Sequence, residues 1–485
     1  MKIYLLNPPY VPGFVRFSRH QGGVARGGEF YYPVWLAYAT GVLAQDKHDV
    51  RLVDAPAWGW DRQAVLKDAR EFSPDIAVVD TIFGSLTNDI EVATLLKKNI
   101  AGLKTVLVGP PTSQFAEKIL NNGGVDIVAR FEFDFTVRDI ARAVEAGKDI
   151  DQIKGISYKK NGEIRHNPDR DFMTSEELDS IPFVSEVYKK HLRIKDYFLS
   201  HSLHPMMQIM TGRGCPFQCT FCSWPETLMG RKYRARSVEN VVAEFEYIRA
   251  ELPEVKEVFI EDDTFTADKD RVREFCHEIK RHELNLPWAC DARANLDYET
   301  MKEMKDAGCR LVDVGYESGN DEILKNVKKG ITTDRMRRFA RDARKAGLMV
   351  MADFVFGLPG ETKETAETTI KFAKELKPNV LQFEAPIPIP GTGFYRWVKD
   401  NDYLLVDDLE KSLDKRGFKS CVVSYPDFSA EDMVKYVDKG LKQYYLSPAY
   451  IPIALKAIFS KEGFHELKVL VKSSIGFFRY LNREK

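Results

Sequence analysis

The chain has 485 residues, more than one hydrophobic core usually supports, so two or three domains are expected. Lys and Arg total 71 and Asp and Glu total 72, a near-balance that argues against a protein that binds nucleic acid along its whole length. Hydrophobic residues make up 44% and charged residues 29%, as in ordinary globular proteins, and no apolar run reaches the roughly 18 residues that span a bilayer.

Short apolar runs alternate with helical stretches in residues 1–140. The runs are 3–6, 50–53, 76–79, 105–108 and 125–128, with helices predicted at 61–72 and 88–99. This alternation predicts an α/β fold built on a doubly wound parallel sheet. Ligands of such sheets bind beyond the carboxyl ends of the strands, where this chain has the candidate cofactor-binding residues Pro8, Thr81, Gly109 and Glu132.

Residues 141–204 are predicted to form a connector between two domains. Asn161-Gly162 follows a short strand-like run and indicates a hairpin turn. A polar helical stretch at 174–179 comes next. We expect this connector to seat the flanking domains against each other.

Three cysteines stand in a CxxxCxxC spacing at Cys215, Cys219 and Cys222. A short loop can gather them around one [4Fe-4S] cluster, and three thiolates leave its fourth iron open to a small molecule. A closed structural zinc site needs a fourth ligand, and none lies nearby in the sequence. A zinc loop and three merely packed cysteines are the alternatives.

Strand and helix alternation resumes in residues 205–395. Six strands are predicted at 208–210, 255–260, 288–293, 311–316, 350–356 and 380–383. In parallel barrels the functional residues lie at the carboxyl ends of the strands. The candidate cofactor-binding residues at these ends are Glu261, Asp262, Asp263, Arg293, Glu317, Ser318 and Gly357. Cys290, on a predicted strand, is a candidate hydrogen donor, although a lone cysteine is usually a small packed residue.

Residues 396–485 are predicted to be helical, and the stretch from residue 441 onwards is basic and amphipathic. Such a helix can lie on a membrane surface, or it can pack on the protein as an ordinary C-terminal helix. The scattered remaining cysteines and the absence of a signal peptide predict a cytoplasmic protein, with the tail as a peripheral contact at the inner face of the membrane.

The cysteine loop, with Phe221 before its last cysteine, resembles the signature loop of radical S-adenosylmethionine (SAM) enzymes. The resemblance implies a partial (β/α)6 barrel and assigns Cys215, Cys219 and Cys222 as the catalytic cluster ligands. It further implies an open iron that chelates SAM, reductive cleavage to a 5'-deoxyadenosyl radical, and an electron donor such as flavodoxin or ferredoxin.

The same resemblance distributes contacts to SAM among the strand ends. Phe221 would lie near the adenine, and Glu261, Asp262 and Asp263 would receive the amino group. Arg293 would pair with the SAM carboxylate, since a guanidinium matches that group in a fork geometry. Glu317 and Ser318 would hydrogen-bond the ribose, and Gly357 would allow close backbone approach.

The sheet of residues 1–140 resembles the cobalamin-binding domain that precedes many radical SAM domains. The chain has no Asp-x-His-x-x-Gly motif, so no histidine is marked as a lower axial cobalt ligand. A domain that kept this fold and lost the corrinoid is the alternative to cobalamin binding.

Several segments resemble radical SAM proteins associated with hopanoid biosynthesis. They are 30–37, 129–136, 211–215, 222–225 and 314–320. The resemblance implies contraction of a sugar ring on a lipid head group to a cyclitol. A competing hypothesis is cobalamin-dependent methylation of an unactivated carbon in a lipid or small molecule, and a hypothesis of another class is an iron-sulfur electron carrier or redox-sensing module.

Overall fold

The computed structural model describes residues 1–16, 22–25 and 27–458. Two mainly parallel sheets organise these residues, one in each half of the chain, as the alternation of strands and helices predicts. Much of the tail predicted to be basic and amphipathic, residues 459–485, lies outside the described residues. Within the described ranges, no helix is both long and apolar enough to cross a membrane.

The first half of the chain builds a seven-stranded sheet and a small hairpin. Its described strands are β1 (Lys2–Asn7), β2 (Phe14–Val15), β3 (Gly23–Val24), β4 (Asp49–Asp54), β5 (Ile76–Asp80), β6 (Lys104–Val108), β7 (Ile127–Ala129), β8 (Ile156–Lys160) and β9 (Glu163–His166). Its described helices are α1 (Val34–Gln45), α2 (Ala55–Trp58), α3 (Arg62–Phe72), α4 (Leu86–Asn99), α5 (Ala116–Asn121), α6 (Asp134–Glu145), α7 (Ser175–Asp179) and α8 (Val184–His191).

The strand order of this sheet is β4-β1-β5-β6-β7-β8-β9. The first five strands are parallel, and in chain order they follow the doubly wound pattern 2-1-3-4-5. Their order reverses between β1 and β5, and a crevice therefore opens beyond the carboxyl ends of these two strands. The sheet topology places the predicted ligand site at this crevice.

The β8–β9 hairpin adds two antiparallel strands to the same sheet. Asn161 and Gly162 have φ of 53° and 85°, the left-handed values that a type I′ hairpin turn requires. The first part of the predicted connector is thus an extension of the N-terminal sheet, and only the residues after β9 run between the two halves.

The second half of the chain forms the barrel unit and the helices that follow it. Its described strands are β10 (Met206–Ile209), β11 (Gly212–Arg213), β12 (Arg234–Ala235), β13 (Glu257–Ile260), β14 (Trp288–Ala292), β15 (Cys309–Glu317), β16 (Met349–Val355) and β17 (Val380–Glu384). Its described helices are α9 (Val238–Glu251), α10 (Lys269–Arg281), α11 (Tyr298–Asp306), α12 (Asp321–Asn326), α13 (Thr333–Ala346), α14 (Lys363–Leu376), α15 (Gly393–Asp400), α16 (Ala430–Tyr445) and α17 (Ile451–Ile458).

Six of these strands pair in parallel in the order β10-β13-β14-β15-β16-β17, which gives the predicted partial (β/α)6 barrel. Alternate residues on each strand point outwards to the helices or inwards to the lumen. On β14, Trp288 packs 5.3 Å from Phe275 of α10, so Cys290, two residues further on, faces the same outer layer. Cys290 is fully buried there, and this position contradicts its prediction as a hydrogen donor.

A buried cluster of charges joins the two halves. Arg213, at the end of β11 and 1% exposed, binds Glu132 at 2.9 Å and Asp134 at 2.8 Å. Arg234 reaches the other oxygen of Glu132 at 2.8 Å. Because Glu132 and Asp134 lie at the end of the first sheet and Arg213 begins the segment of the three cysteines, these ion pairs lock that segment against the N-terminal sheet.

The guanidinium of Arg213 also lies against aromatic rings of α1. Its central carbon is 5.0 Å from the ring centroids of Trp35 and Tyr38. The Tyr38 hydroxyl donates to the carbonyl of Met210 at 3.1 Å, which ties α1 to the end of β10. The contact between the halves is therefore both ionic and aromatic.

Replacing Arg213 by Ala removes the charge that compensates two buried carboxylates. We expect the free energy of unfolding to fall by about 3–5 kcal/mol, the usual cost of breaking a buried ion pair from one side. Chemical denaturation followed by circular dichroism measures the change. Arg142→Ala is the control, because Arg142 is half exposed in its pair with Asp46 and should cost at most about 1 kcal/mol. Equal losses in the two variants would contradict the assignment.

Candidate active site

The segment that carries Cys215, Cys219 and Cys222 is held at both ends by backbone contacts. Gly214 has a φ of 85°, and a Cβ there would lie 2.1 Å from the carbonyl oxygen of Lys232, so only glycine fits. The Thr220 amide donates to the carbonyl of Val327 at 3.0 Å. These contacts place the loop at the mouth of the barrel, between β11 and the end of α12.

Cationic groups surround the middle cysteine of the loop. Cys219 is 8% exposed, and Nη1 of Arg293 lies 3.9 Å from its sulfur. Lys329 donates to Glu317 at 2.7 Å. Burial favours the neutral amine of Lys329, but the negative charges of Glu317 and Cys219 outweigh burial and raise its pKa. This positive environment stabilises thiolates.

The chemistry of the cysteines fits a cluster better than a single ion. Burial, reinforced by the charge of Asp263, raises the pKa of Cys215, so its thiolate needs a bound cation to form. Over the described ranges, no three His, Cys, Asp or Glu side chains converge on one ion. A [4Fe-4S] cluster binds each thiolate through a different iron, so its three ligands need not converge on a single ion. We propose Cys215, Cys219 and Cys222 as the cluster ligands.

The acidic residues after β13 accept hydrogen bonds from the segment that precedes the cysteines. Asp263 accepts a hydrogen bond from the amide of Gly214 at 2.8 Å. Asp262 accepts from the amide of Thr211 at 2.6 Å and from its hydroxyl at 2.7 Å, and burial raises the Asp262 pKa. The side chain of Asp262 therefore anchors residue 211 rather than receiving the SAM amino group, which corrects its predicted role.

Glu261 and Arg293 remain candidates for contact with SAM. Glu261 is 4% exposed and accepts from the side-chain amide of Gln208 at 2.7 Å. The guanidinium of Arg293 lies over the ring of Phe217, 3.9 Å from its centroid, and the amide of Arg293 donates to the Thr266 hydroxyl at 3.0 Å. These contacts fix the Arg293 side chain beside the cysteine loop.

Of the two predicted residues at the end of β15, Glu317 lies at the site and Ser318 lies behind it. Glu317 turns towards the cysteines with a φ of 65° and pairs with Lys329. Ser318 is fully buried, and its hydroxyl lies 3.3 Å from that of Thr369 on α14. The Ser318 hydroxyl therefore supports the turn after β15, and its contact with the ribose remains a prediction.

Gly357 and Phe221 occupy packed positions near the mouth. A Cβ on Gly357 would lie 2.4 Å from the sulfur of Met433, so this glycine allows α16, rather than a ligand, to approach the backbone. Its carbonyl accepts from the hydroxyl of Tyr425. Phe221 packs against the apolar residues that include Val355 and Leu358, and its contact with adenine remains a prediction.

A crevice lies at the switch point of the first sheet, as the strand order requires. It is lined from both halves of the chain, and the described lining residues are Arg16, Trp35, Asp80, Ile82, Gly109, Pro110, Phe133, Trp224 and Leu228. Gly109 has a φ of 113°, and a Cβ there would meet the carbonyl oxygen of Thr81 at 2.2 Å.

The floor of the crevice is an ion pair that organises two predicted cofactor residues. Arg16 pairs with Asp89 at 2.5 Å and donates to the carbonyl of Pro8. The hydroxyl of Thr81 donates to the other oxygen of Asp89 at 3.0 Å. Burial raises the pKa of Asp80 to about 7 against the opposing charge of Arg16. Pro8 and Thr81 thus build the crevice, and Asp80 and Gly109 face it.

The second half of the chain closes this crevice with the helix that follows the last cysteine. A π-helix spans Pro225–Met229, and Leu228 on it lines the crevice. Trp224 immediately precedes this helix and packs edge-on against Trp35 of α1 at 5.8 Å. The flat apolar walls and the polar floor match a corrinoid, which presents both a planar ring and amide side chains, so the residues present fit cobalamin.

Glu132 is not part of this crevice, contrary to the prediction. One carboxylate oxygen binds Arg213, and the other accepts from Arg234 and from the amide of Met173, both at 2.8 Å. The contacts with Arg213 and Arg234 join the two halves. Sequence reasoning also missed Arg16, Asp80 and Lys329. Asp80 directly follows the predicted strand 76–79, so the expectation that ligands bind at the carboxyl ends of strands could have identified it. No local sequence pattern marks Arg16 or Lys329.

Two family models match the chain in the regions of the two sheets. The B12 binding domain matches residues 21–141, and the radical SAM superfamily matches residues 209–373. The first region contains most of the residues that line the crevice, and the second contains the cysteine loop, the crevice residues Trp224 and Leu228, and the ends of five barrel strands.

Similar proteins support both matches over nearly the whole chain. An uncharacterised methyltransferase of Pyrococcus horikoshii is 31% identical over 96% of this chain and 96% of its own length. A cytidylyl-2-hydroxyethylphosphonate methyltransferase of Streptomyces wedmorensis is 26% identical over 81% of this chain and 82% of its own length. In fold, the chain is similar to the radical SAM methyltransferase TsrM of Kitasatospora setae with cobalamin and a [4Fe-4S] cluster bound, with a TM-score of 0.71, 17% identity, and coverage of 93% and 89%.

Replacing Cys219 by Ala should abolish cluster assembly, because two thiolates cannot hold a [4Fe-4S] cluster on this loop. The measurement is bound iron and the visible absorbance band after anaerobic reconstitution. Cys421→Ala is the matched control, since Cys421 is not part of the CxxxCxxC loop and contacts the sulfur of Met433, so its loss should leave iron content unchanged. Full iron binding by the Cys219 variant would contradict the ligand assignment.

The raised pKa of Asp80 makes stability depend on pH. Its pKa is about 7 in the folded protein, against about 3.9 in an unfolded chain. The folded state therefore keeps a proton that the unfolded state loses, and stability falls by about 1.4 kcal/mol per pH unit between pH 4 and pH 7. We expect Asp80→Asn to make the decline shallower by this amount, measured as thermal midpoints across that range.

The control for this prediction is Asp306→Asn, since Asp306 is exposed and paired only at the surface with Lys302. It should leave the pH dependence as in the wild type. An Asp80→Asn variant whose midpoint falls with pH as steeply as the wild type would show that Asp80 is ionised in the folded protein.

Proposed function

Because the chain belongs to the B12-binding-domain branch of the radical SAM superfamily, we propose that it is a cobalamin-dependent radical SAM methyltransferase that methylates a carbon of a small-molecule or lipid-linked substrate. Family membership rests on the relative that is 31% identical over 96% of both chains, together with the two matching family models. Two of the similar proteins reported above are named methyltransferases, and the fold neighbour is titled as one.

The observation that carries this proposal is the contact between the cysteine loop and the crevice. Trp224 lies two residues after Cys222 and forms part of the crevice wall, opposite Asp80 and Gly109. A ligand held by the loop and a ligand held in the crevice therefore lie on two sides of one short segment. Methyl transfer needs this arrangement, because the methyl carrier and the radical must both reach the same substrate carbon.

When bound, the cluster supplies the electron that splits SAM, and cobalamin supplies a carrier for the methyl group. The residues of this chain position these groups. In this proposal Arg293, whose guanidinium lies 3.9 Å from the sulfur of Cys219, pairs with the SAM carboxylate, and Glu317, paired with Lys329, contacts the ribose. Trp35 and Trp224 form an apolar wall that excludes water from the space between the two sites.

Ring contraction of a sugar to a cyclitol, the first hypothesis from the sequence, receives less support than its alternative. The two relatives reported above are named methyltransferases, and the B12-binding match gives the methyl carrier a site that ring contraction does not require. The electron-carrier hypothesis does not account for the crevice or for the positions of Arg293 and Glu317 beside the cysteine loop. A reductant remains a required partner, because SAM cleavage consumes an electron.

The products of SAM distinguish these reactions. We expect the reconstituted enzyme, with reductant, cobalamin and a cell extract as the source of substrate, to form S-adenosylhomocysteine and 5'-deoxyadenosine together. With SAM labelled by deuterium in its methyl group, a product heavier by the labelled methyl should appear in mass spectra. Cys219→Ala should form no 5'-deoxyadenosine. Formation of 5'-deoxyadenosine without S-adenosylhomocysteine or label transfer would favour ring contraction instead.

A further inference from the structure

The inner surface of the barrel carries a row of carboxylates. Asp291, Asp313, Asp353 and Glu384 stand on the four adjacent strands β14 to β17. Asp291 is paired in register with Asp313, and Asp353 lies one strand further on. None of these four residues is among those that contact SAM or the crevice in the proposed function.

The packing of the neighbouring residues shows that these four side chains face the lumen. On each strand the flanking residues are buried against the outer helices: Tyr316, for example, lies 6.3 Å from Phe339 of α13, and Phe354 lies 6.4 Å from Phe372 of α14. Because side chains alternate along a strand, residues of the opposite parity point inwards. The four acids are intermediate in exposure, whereas residues that alternate with them, such as Cys290, Val314 and Phe354, are fully buried.

Like charges crowd in this lumen. Asp353 is hydrogen-bonded to Asp313, and burial together with the charge of Asp313 raises its pKa well above its usual range. Oδ1 of Asp353 has no hydrogen-bond partner within the described part of the chain. Lys419 lies 3.8 Å from Glu384, at the far end of the row from Asp291. A positive charge beside Asp313 and Asp353 would relieve the repulsion.

A buried histidine provides an independent sign of a ligand. His201 is 7% exposed, and neither of its ring nitrogens has a hydrogen-bond partner among the described residues. Its ring packs 5.3 Å from that of Phe259 on β13, and the charged groups that act on it are Asp313, Glu29, Glu257 and the cation Arg310. Buried polar groups in native proteins are almost always satisfied, so a ligand that reaches His201 would supply a partner that the described residues do not.

The spacing of the acids favours an organic cation over a metal ion. Over residues 1–16, 22–25 and 27–458, no three acidic, histidine or cysteine side chains converge at the distance that a metal ion requires. Carboxylates spread over four strands suit a larger group with several hydrogen-bond donors, such as a protonated amine.

We propose that the barrel lumen is the substrate chamber and that the substrate carries a protonated amine, which binds between Asp313 and Asp353 with His201 as a hydrogen-bonding partner. This assignment rests on the proposed methyltransferase function, which needs a chamber between the cysteine loop and the crevice. What it adds to that function is the chemical class of the substrate, a molecule with a protonated amine.

The test compares two probes of equal length, n-hexylamine and n-hexanol, bound to the reconstituted holoenzyme and measured by ligand-observed NMR without turnover. We expect the amine to bind about tenfold or more tightly than the alcohol, because only the amine pairs with the carboxylates. The double variant Asp313→Asn/Asp353→Asn keeps the shape of both side chains and should lose this preference. Asp306→Asn, on the outer surface, should keep it.

Equal affinity of the two probes for the wild type, or an amine preference that survives in the double variant, would overturn the inference. The wild-type comparison needs no variant, and the iron content of the double variant checks that its site is intact. Because binding is measured without turnover, this result is separate from the methyl-transfer assay. Label transfer from SAM without an amine preference would leave the proposed function standing and remove only the substrate class.

Discussion

The pairing of Arg213 with Glu132 and Asp134 is the constraint on which the rest of the site depends. Each group would be costly to bury alone, and together they stand at the boundary between the two sheets. Arg213 begins the cysteine segment and the two acids end the N-terminal sheet, so the pair sets the distance between the loop and the crevice. The positions of Trp35 and Trp224, and with them the apolar wall, follow from that distance.

Most of the fold was accessible from the sequence because its signals are local. The runs at 3–6, 50–53 and 76–79 became β1, β4 and β5 with shifts of one residue at their ends, and all six barrel strands were located. Parallel strands buried on both faces are near-continuous apolar runs, and turns such as Asn161-Gly162 have a backbone requirement that few residues meet. The connector was the exception, because nothing local shows that a hairpin will pair with a sheet edge.

The site was predicted less completely, because strand-end position does not reveal which neighbour a polar side chain will meet. Asp262, Ser318 and Glu132 all stand at strand ends, yet each is buried and bound to a residue far away in the sequence. Cys290 lies on the right strand but on its outer face. In contrast, the CxxxCxxC spacing alone defines the cysteine loop. The end of the predicted strand 288–293 likewise gives the position of Arg293 along the chain.

The short distance along the chain between Cys222 and Trp224 has a thermodynamic consequence. A ligand that orders the cysteine loop also orders Trp224, which lines the crevice. Binding at the loop therefore changes the affinity of the crevice for its ligand. By linkage, binding in the crevice changes the affinity of the loop by the same factor. Each ligand would therefore bind with the same gain in affinity from the other, whichever of the two binds first.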